Sequence, residues 1–179
     1  MVVVLALTVI AGCKDTAKDK NIVVDNTSLE DESRGDSTIY GTLVDGGMNS
    51  MLLLTDDGDT LELLRNPDDT TDVVKGGIVP NDRYAVIAYT SYGERFIRTA
   101  IDIESLKGSW SSLDRNFEIE DGGAVKSALA SETNAWKTWK IYNGQLVFDR
   151  DTFIVDELGA DSMLLESRDG IYSFKRAKK

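Results

Sequence analysis

Histidine is missing from this chain, and cysteine occurs only once in its 179 residues. Without an imidazole side chain the protein cannot use Ser-His-Asp or Cys-His catalysis, and most catalytic zinc sites are excluded as well. Enzymatic activity would therefore have to rely on carboxylate, lysine or tyrosine chemistry.

Proline is also scarce, with two residues, whereas apolar residues make up 41% and charged residues 28% of the chain. This composition is typical of a globular protein, so disorder can only be local. The 31 acidic and 20 basic residues give a net charge of −11, which repels phosphate backbones and anionic lipid surfaces. We expect no nucleic-acid partner.

The single cysteine, Cys13, ends an apolar run that begins at Val2. This run is far shorter than the ~20 residues of a membrane-spanning helix and has the length of a signal-peptide core. Its end, "VIAGC", resembles the lipobox of bacterial lipoproteins, in which the cysteine thiol receives a diacylglyceryl group and a peptidase cuts before it. The resemblance implies a signal peptide over residues 1–12, a lipid anchor on Cys13 and an outer-membrane location, facing the periplasm or the surface. The alternative, a cysteine buried in a first strand, is disfavoured by the polar residues that follow.

Residues 13–37 are rich in charge and contain no aromatic residue, which predicts a flexible tether. Lys14-Asp15 resembles the signal that sends some lipoproteins of gut anaerobes to the outer face of the outer membrane. The triplets Asp15-Thr16-Ala17 and Asp36-Ser37-Thr38 resemble an O-glycosylation acceptor of the same bacteria, but the ordinary polarity of a linker explains them more simply.

From residue 38 onward, short β-branched and leucine-rich runs alternate with turn residues, and no amphipathic helix is predicted. We predict five strands, over residues 38–44, 50–55, 60–64, 83–89 and 95–103. Between the third and fourth, "NPDDTTDVVKGG" predicts a short helix, because acidic residues follow Pro67. Five strands with such an insert resemble an OB-like barrel, which we place at residues 38–103. In its last strand Ile97, Thr99, Ile101 and Ile103 would share the one buried face of the sheet.

The segment "TDDGDT", residues 55–60, has three aspartates in four positions. It is similar to the start of a calcium loop but lacks the distal bidentate glutamate, and Asp57-Gly58 between two leucine-rich strands predicts a hairpin. We prefer the hairpin, and we expect neither a metal ion nor a cofactor.

Beyond residue 103 we predict a second domain, over residues 104–179. It contains eight short strands joined by short turns: 109–113, 116–120, 124–129, 136–142, 145–149, 151–157, 161–166 and 171–176. Such a chain predicts an up-and-down barrel. A helical turn followed by Gly108-Ser109-Trp110 resembles the G-x-W signature of lipocalins. That resemblance implies a lipocalin-like barrel in which Gly108 permits close backbone approach and Trp110 closes one end beneath Arg176, in a cation–π contact.

The segment "NAWKTWKIYNGQLVF" is similar to one in bacterial lipocalin-like lipoproteins of gut anaerobes. Aromatic residues here and in the later strands are candidates to line a ligand site: Trp136, Trp139, Tyr142, Phe148, Phe153 and Tyr172. The alternative, which we favour for the two tryptophans, is that aromatic residues fill the core and pack at the rim. A barrel with strands of about six residues can be filled by its own side chains.

The function predicted from these features is that of a non-enzymatic envelope lipoprotein. Its lipocalin-like barrel would bind a small apolar ligand or an envelope protein, while Cys13 attaches it to the membrane. The alternative is a carboxylate-dependent hydrolase that uses Glu118 or Glu120 together with Asp149 or Asp151.

Overall fold

The computed structural model describes residues 35–128 and 134–177, which belong to one compact unit. The predicted signal peptide, Cys13 and most of the tether lie outside these residues, so the predictions made for them are not addressed by the fold. The bounds of the two predicted domains likewise stay a prediction. No helix within the described residues has the length and apolar character needed to cross a membrane.

The predicted fold class is confirmed, because a closed five-stranded barrel is followed by a nearly closed eight-stranded antiparallel barrel. The first part of the chain contains six strands: β1 (Ile39–Gly46), β2 (Ser50–Thr55), β3 (Thr60–Leu64), β4 (Val74–Lys75), β5 (Arg83–Ser91) and β6 (Glu94–Asp102). Hydrogen-bonded neighbours run in the order β3, β2, β1, β5, β6, and Leu64 of β3 pairs with Phe96 of β6 to close the barrel.

The prediction of a short helix between β3 and β5 is wrong, because the structure describes this whole segment and has no helix in it. Two side chains in this segment, Asn66 and Asp69, accept hydrogen bonds from the backbone N–H groups two residues further on. Such local bonds compete with the helical pattern. The segment then ends in β4, which pairs in parallel with β6.

The predicted buried face of β6 is also wrong, because the strand carries a β-bulge. Ile87 of β5 pairs with Thr99 and the next residue, Ala88, pairs with Ile97, so Arg98 is left without an opposite partner. An extra residue shifts the alternation of side chains by one position. As a result Ile97 and Ala100 both face the first core.

The second part of the chain begins with a one-turn helix, α1 (Ile103–Leu106), and continues with eight strands. They are β7 (Gly108–Ser111), β8 (Asn116–Ile119), β9 (Val125–Ser127), β10 (Trp139–Tyr142), β11 (Gln145–Phe148), β12 (Asp151–Leu158), β13 (Ser162–Ser167) and β14 (Gly170–Arg176). All eight predicted strands are present with small shifts at their ends. Their order in the sheet is β10-β11-β12-β13-β14-β7-β8-β9, so β14 returns to pair with β7.

A seam between β9 and β10 nearly completes the second barrel. Ala124 and Thr138 form an isolated bridge there, and Val125 N donates to Lys137 O at 2.8 Å. Because neighbouring strands are antiparallel, the β7–β8, β11–β12 and β13–β14 turns all lie at one end of the barrel, which we call the cleft end. The start of β7, the end of β14 and the β10–β11 turn lie at the other end, the junction end.

The junction end contacts the first barrel. Tyr40 of β1 donates its hydroxyl to Ile141 O at 2.7 Å, and Gly76 N donates to Leu158 O at 2.9 Å. The core of the second barrel continues into the first, since it includes Ala85 of β5 and Ile101 of β6. Both faces of β5 and β6 are therefore buried here, whereas the sequence pattern of β6 had predicted one buried face for that strand.

Candidate functional site

Aromatic side chains fill the middle of the eight-stranded barrel. Phe117 makes edge contacts with Trp136, Phe148 and Phe174, with ring centroids 5.2–5.5 Å apart. Trp136 stacks on Phe148 at 4.4 Å with the rings nearly parallel. These rings are all buried, so a ligand has access to the ends of this cluster and not to its centre.

The six residues predicted to line a ligand site are divided by the structure. Three of them, Trp136, Phe153 and Tyr172, border a cleft at the cleft end. Phe148 is fully buried beneath them. The remaining two lie elsewhere on the barrel: Trp139 donates its indole N–H to Glu120 O at the seam, and Tyr142 lies beneath the ammonium group of Lys140.

The cleft has a volume of about 520 Å³, which is in the usual size range of small-ligand sites. Besides the three aromatic residues, its lining is polar and charged: Arg115, Arg150, Asp151, Thr152, Ser167, Arg168 and Asp169. Charged side chains thus surround a small aromatic floor.

Arg115 and Asp151 are tied to the aromatic floor. The guanidinium carbon of Arg115 lies 4.0 Å from the centre of the Trp136 ring, and its Nη1 donates to Asn134 O at 3.1 Å. At the edge of the same ring, Asp151 Oδ2 accepts the indole N–H of Trp136 at 2.8 Å. A single tryptophan therefore orients one cation and one carboxylate.

The other two arginines of the cleft are exposed. Arg150 lies in the β11–β12 turn and Arg168 in the β13–β14 turn, and neither forms an ion pair or hydrogen bond with any part of the chain that the structure describes. Next to Arg168, Asp169 N donates to Ser167 Oγ at 3.1 Å, which holds the turn. Both guanidinium groups are thus available to a ligand.

The sequence did not single out these three arginines. A signal was nevertheless present, because each of them belongs to one of the three turns that alternate along an up-and-down barrel. Such turns meet at the same end of the barrel. Without the order of the strands, Arg115, Arg150 and Arg168 look like ordinary turn residues.

At the junction end the structure brings together Gly108, Trp110 and Arg176. Gly108 has φ of +115°, and a Cβ atom there would lie 2.8 Å from Arg176 Nη1. The guanidinium carbon of Arg176 lies 4.2 Å from the centre of the Trp110 ring, whose indole N–H donates to Leu106 O at 2.9 Å. Trp110 is buried in this position.

Arg176 also binds the backbone around α1. Its Nη1 and Nη2 donate to Lys107 O at 2.8 Å and Ser105 O at 2.5 Å, and its Nε donates to Ala160 O at 2.6 Å. One planar guanidinium thereby donates to three carbonyls, two around the end of α1 and one in the β12–β13 turn, in a fixed geometry that the compact ammonium group of a lysine does not offer. These contacts stabilise the junction end and give Arg176 a structural role there.

Three of the four carboxylates considered for hydrolysis, Glu120, Asp149 and Asp151, form hydrogen bonds or an ion pair with neighbouring residues. Glu120 pairs with Lys126 at 2.5 Å. Burial opposes ionisation of Asp149, but hydrogen bonds from Thr138 and Lys137 outweigh that cost and lower its pKa below the usual range. A lowered pKa is the opposite of what a general acid needs near neutral pH.

A second cleft, of about 620 Å³, borders the five-stranded barrel near the β2–β3 turn. The "TDDGDT" segment forms the predicted hairpin there, with Gly58 N donating to Thr55 O at 2.9 Å. Asp56 pairs with Arg83 at 2.5 Å. Within residues 35–128 and 134–177, no three acidic, cysteine or histidine side chains lie close enough to hold a metal ion.

Comparisons with protein-family models, with curated proteins and with solved structures give no match to this chain.

Proposed function

We propose that this protein is a non-enzymatic binding or accessory lipoprotein of the bacterial envelope, similar to lipocalin-like lipoproteins. Cys13 carries the lipid anchor, and residues 13–37 tether two barrels to the outer membrane. The proposal is supported by the "VIAGC" lipobox resemblance and by the arrangement of Gly108, Trp110 and Arg176 at one barrel end.

The observation that carries a binding role is the cleft at the cleft end. It is the size of a small-ligand site, and charged groups line it above a packed aromatic interior. A ligand of this barrel binds at its mouth, since the interior is occupied by side chains. A protein partner that inserts one side chain or loop would use the same cleft.

Native mass spectrometry of the full chain, extracted in detergent from its own host, tests both parts of the proposal. The intact mass reports whether Cys13 carries acyl chains, and Cys13→Ala is the matched control that cannot be lipidated. We also expect a bound small molecule or partner on the wild-type protein.

Substitutions at two neighbouring residues test whether the bound molecule or partner lies in the cleft. By the alternation of β13, Ser167 faces the barrel mouth and Glu166 faces solvent. Ser167→Trp is expected to abolish the bound species, whereas Glu166→Trp keeps it. An unmodified thiol with the leader still attached contradicts the anchor, and retention of the bound mass by Ser167→Trp contradicts the cleft.

A further inference from the structure

The charge of the cleft contrasts with that of the whole chain. The protein has a net charge of −11, yet three of the five charged side chains that line the cleft are arginines. Each arginine comes from a different turn: Arg115 ends the β7–β8 turn, Arg150 the β11–β12 turn, and Arg168 opens the β13–β14 turn. Three guanidinium groups around one opening are suited to bind an anionic group by charge-assisted hydrogen bonds.

Stacking on the tryptophan is not available to a ligand. Phe148 lies parallel to the Trp136 ring at 4.4 Å, and the Arg115 guanidinium lies 4.0 Å from its centre. One face of an indole cannot hold both groups at these distances, so the two cover opposite faces. Trp136 and Phe153 are 6% and 4% exposed, which leaves polar side chains to make most of the contacts with a ligand.

Those polar groups include acceptors as well as cations. The carboxylate of Asp169 is exposed, Asp151 keeps one oxygen beyond its bond to Trp136, and Thr152 and Ser167 add hydroxyls. Carboxylates and hydroxyls in a cleft bind the O–H groups of a polar ligand. The volume, about 520 Å³, exceeds what a bare inorganic anion needs.

We propose that the cleft binds a hydroxylated organic anion, the size of an acidic sugar, with Arg115, Arg150 and Arg168 on its carboxylate or phosphate and Asp151 and Asp169 on its hydroxyls. This inference rests on the proposed binding function and specifies its ligand class. It replaces the small apolar ligand expected from the sequence.

The indole N–H groups provide the test, because each of the three tryptophans has a different hydrogen-bond acceptor. Trp136 donates to Asp151 inside the cleft, while Trp110 donates to Leu106 O and Trp139 to Glu120 O. In ¹⁵N-labelled full chain, a ligand in the cleft shifts the Trp136 indole resonance and leaves the other two as internal controls. The W136F and W139F variants assign the signals.

Four probes separate charge from hydroxyl recognition: D-glucuronate, D-glucose 6-phosphate, D-glucose and inorganic phosphate. The two sugar anions are expected to shift the Trp136 resonance, with dissociation constants at least about tenfold below those of glucose and inorganic phosphate. The R150Q/R168Q variant should weaken both sugar anions by about tenfold or more. R95Q/K175Q removes two exposed cations elsewhere and should have no effect.

Each other outcome overturns the proposal in a recognisable way. If glucose binds as tightly as the sugar anions, the arginines do not recognise the ligand's charge. If inorganic phosphate binds as tightly as the sugar anions, the carboxylates and hydroxyls of the cleft do not recognise the ligand's O–H groups. The proposed binding function survives either result. If no probe shifts Trp136, the ligand class is wrong. The binding function then fails only if native mass spectrometry also finds nothing bound.

Discussion

At the scale of single residues, Asp102 is the buried carboxylate that organises the junction of the two barrels. It is fully buried and caps α1, because its Oδ1 accepts hydrogen bonds from Glu104 N at 2.9 Å and Ser105 N at 3.2 Å. Its Oδ2 accepts from Ser105 Oγ, which also contacts Gly76 O. Burial raises the pKa of Asp102 above its usual value, and the charge of Asp82 adds to the rise, although the bonds from Ser105 and Glu104 oppose it.

The effect of pH on stability follows from that raised pKa. At a pH between the unfolded and the folded pKa of Asp102, the folded state binds more protons than the unfolded state. The protein therefore loses stability as pH rises through this window. In Asp102→Asn the amide oxygen keeps the cap, and the amide nitrogen can donate to Ser105 Oγ while Ser105 donates to Gly76 O.

We expect Asp102→Asn to match the wild type below about pH 3 and to become progressively more stable than it as pH rises towards neutrality. Urea denaturation at several pH values measures this difference. Asp102→Ala, which also removes the titrating group but loses the cap, should be about 1–2 kcal/mol less stable than Asp102→Asn at every pH. An Asn variant that is less stable at pH 7 than at pH 3, relative to wild type, contradicts the assignment.

At the scale of elements, the entry into β7 depends on the absence of a side chain at Gly108. The positive φ there is strained for other residues, and a Cβ atom would lie only 2.8 Å from Arg176 Nη1, which is closer than van der Waals contact allows. If the Arg176 side chain moved away to make room for this Cβ atom, it would lose its hydrogen bonds to the carbonyls of Ser105 and Lys107. The conformation at the start of β7, the position of α1 and the position of the Arg176 guanidinium therefore depend on one another.

Gly108→Ala should cost about 2–4 kcal/mol, as the sum of backbone strain and displaced hydrogen bonds. Gly93→Ala is the matched control, since Gly93 also has positive φ but nothing lies within 4 Å of its missing Cβ. It should lose only about 1–2 kcal/mol. Equal losses in guanidinium denaturation would show that strain alone explains the glycine at position 108.

At the scale of the whole molecule, the two barrels share a continuous core. Ala85 and Ile101 of the first barrel pack in the same cluster as Trp110 of the second. Polar contacts add to this, since Asn143 N donates to Asp36 Oδ1 and Lys75 Nζ donates to Asp156 O. Such an interface predicts that the barrels unfold together.

Leu53→Ala tests this coupling, because Leu53 is fully buried in the five-stranded barrel while all three tryptophans lie beyond residue 108. The substitution should cost about 2–5 kcal/mol. If the barrels unfold together, tryptophan fluorescence reports the whole loss and its transition coincides with that of far-UV circular dichroism. Leu54→Ala, at a position that is 44% exposed, should change little. If the midpoint of the fluorescence transition is unchanged by Leu53→Ala, the two barrels do not unfold cooperatively.

The sequence by itself determined the fold class and nearly every strand, because the runs are short, β-rich and separated by turn residues such as Asp57-Gly58. It also pointed to Gly108, Trp110 and Arg176, which the structure brings together. Local pattern could not reveal the bulge at Arg98, which depends on pairing with β5. It could not reveal the charged cleft either, because Arg115, Arg150 and Arg168 are 18 to 53 residues apart in the chain. Only the alternation of strand directions around a barrel brings their turns to one end, and that is a property of the tertiary structure.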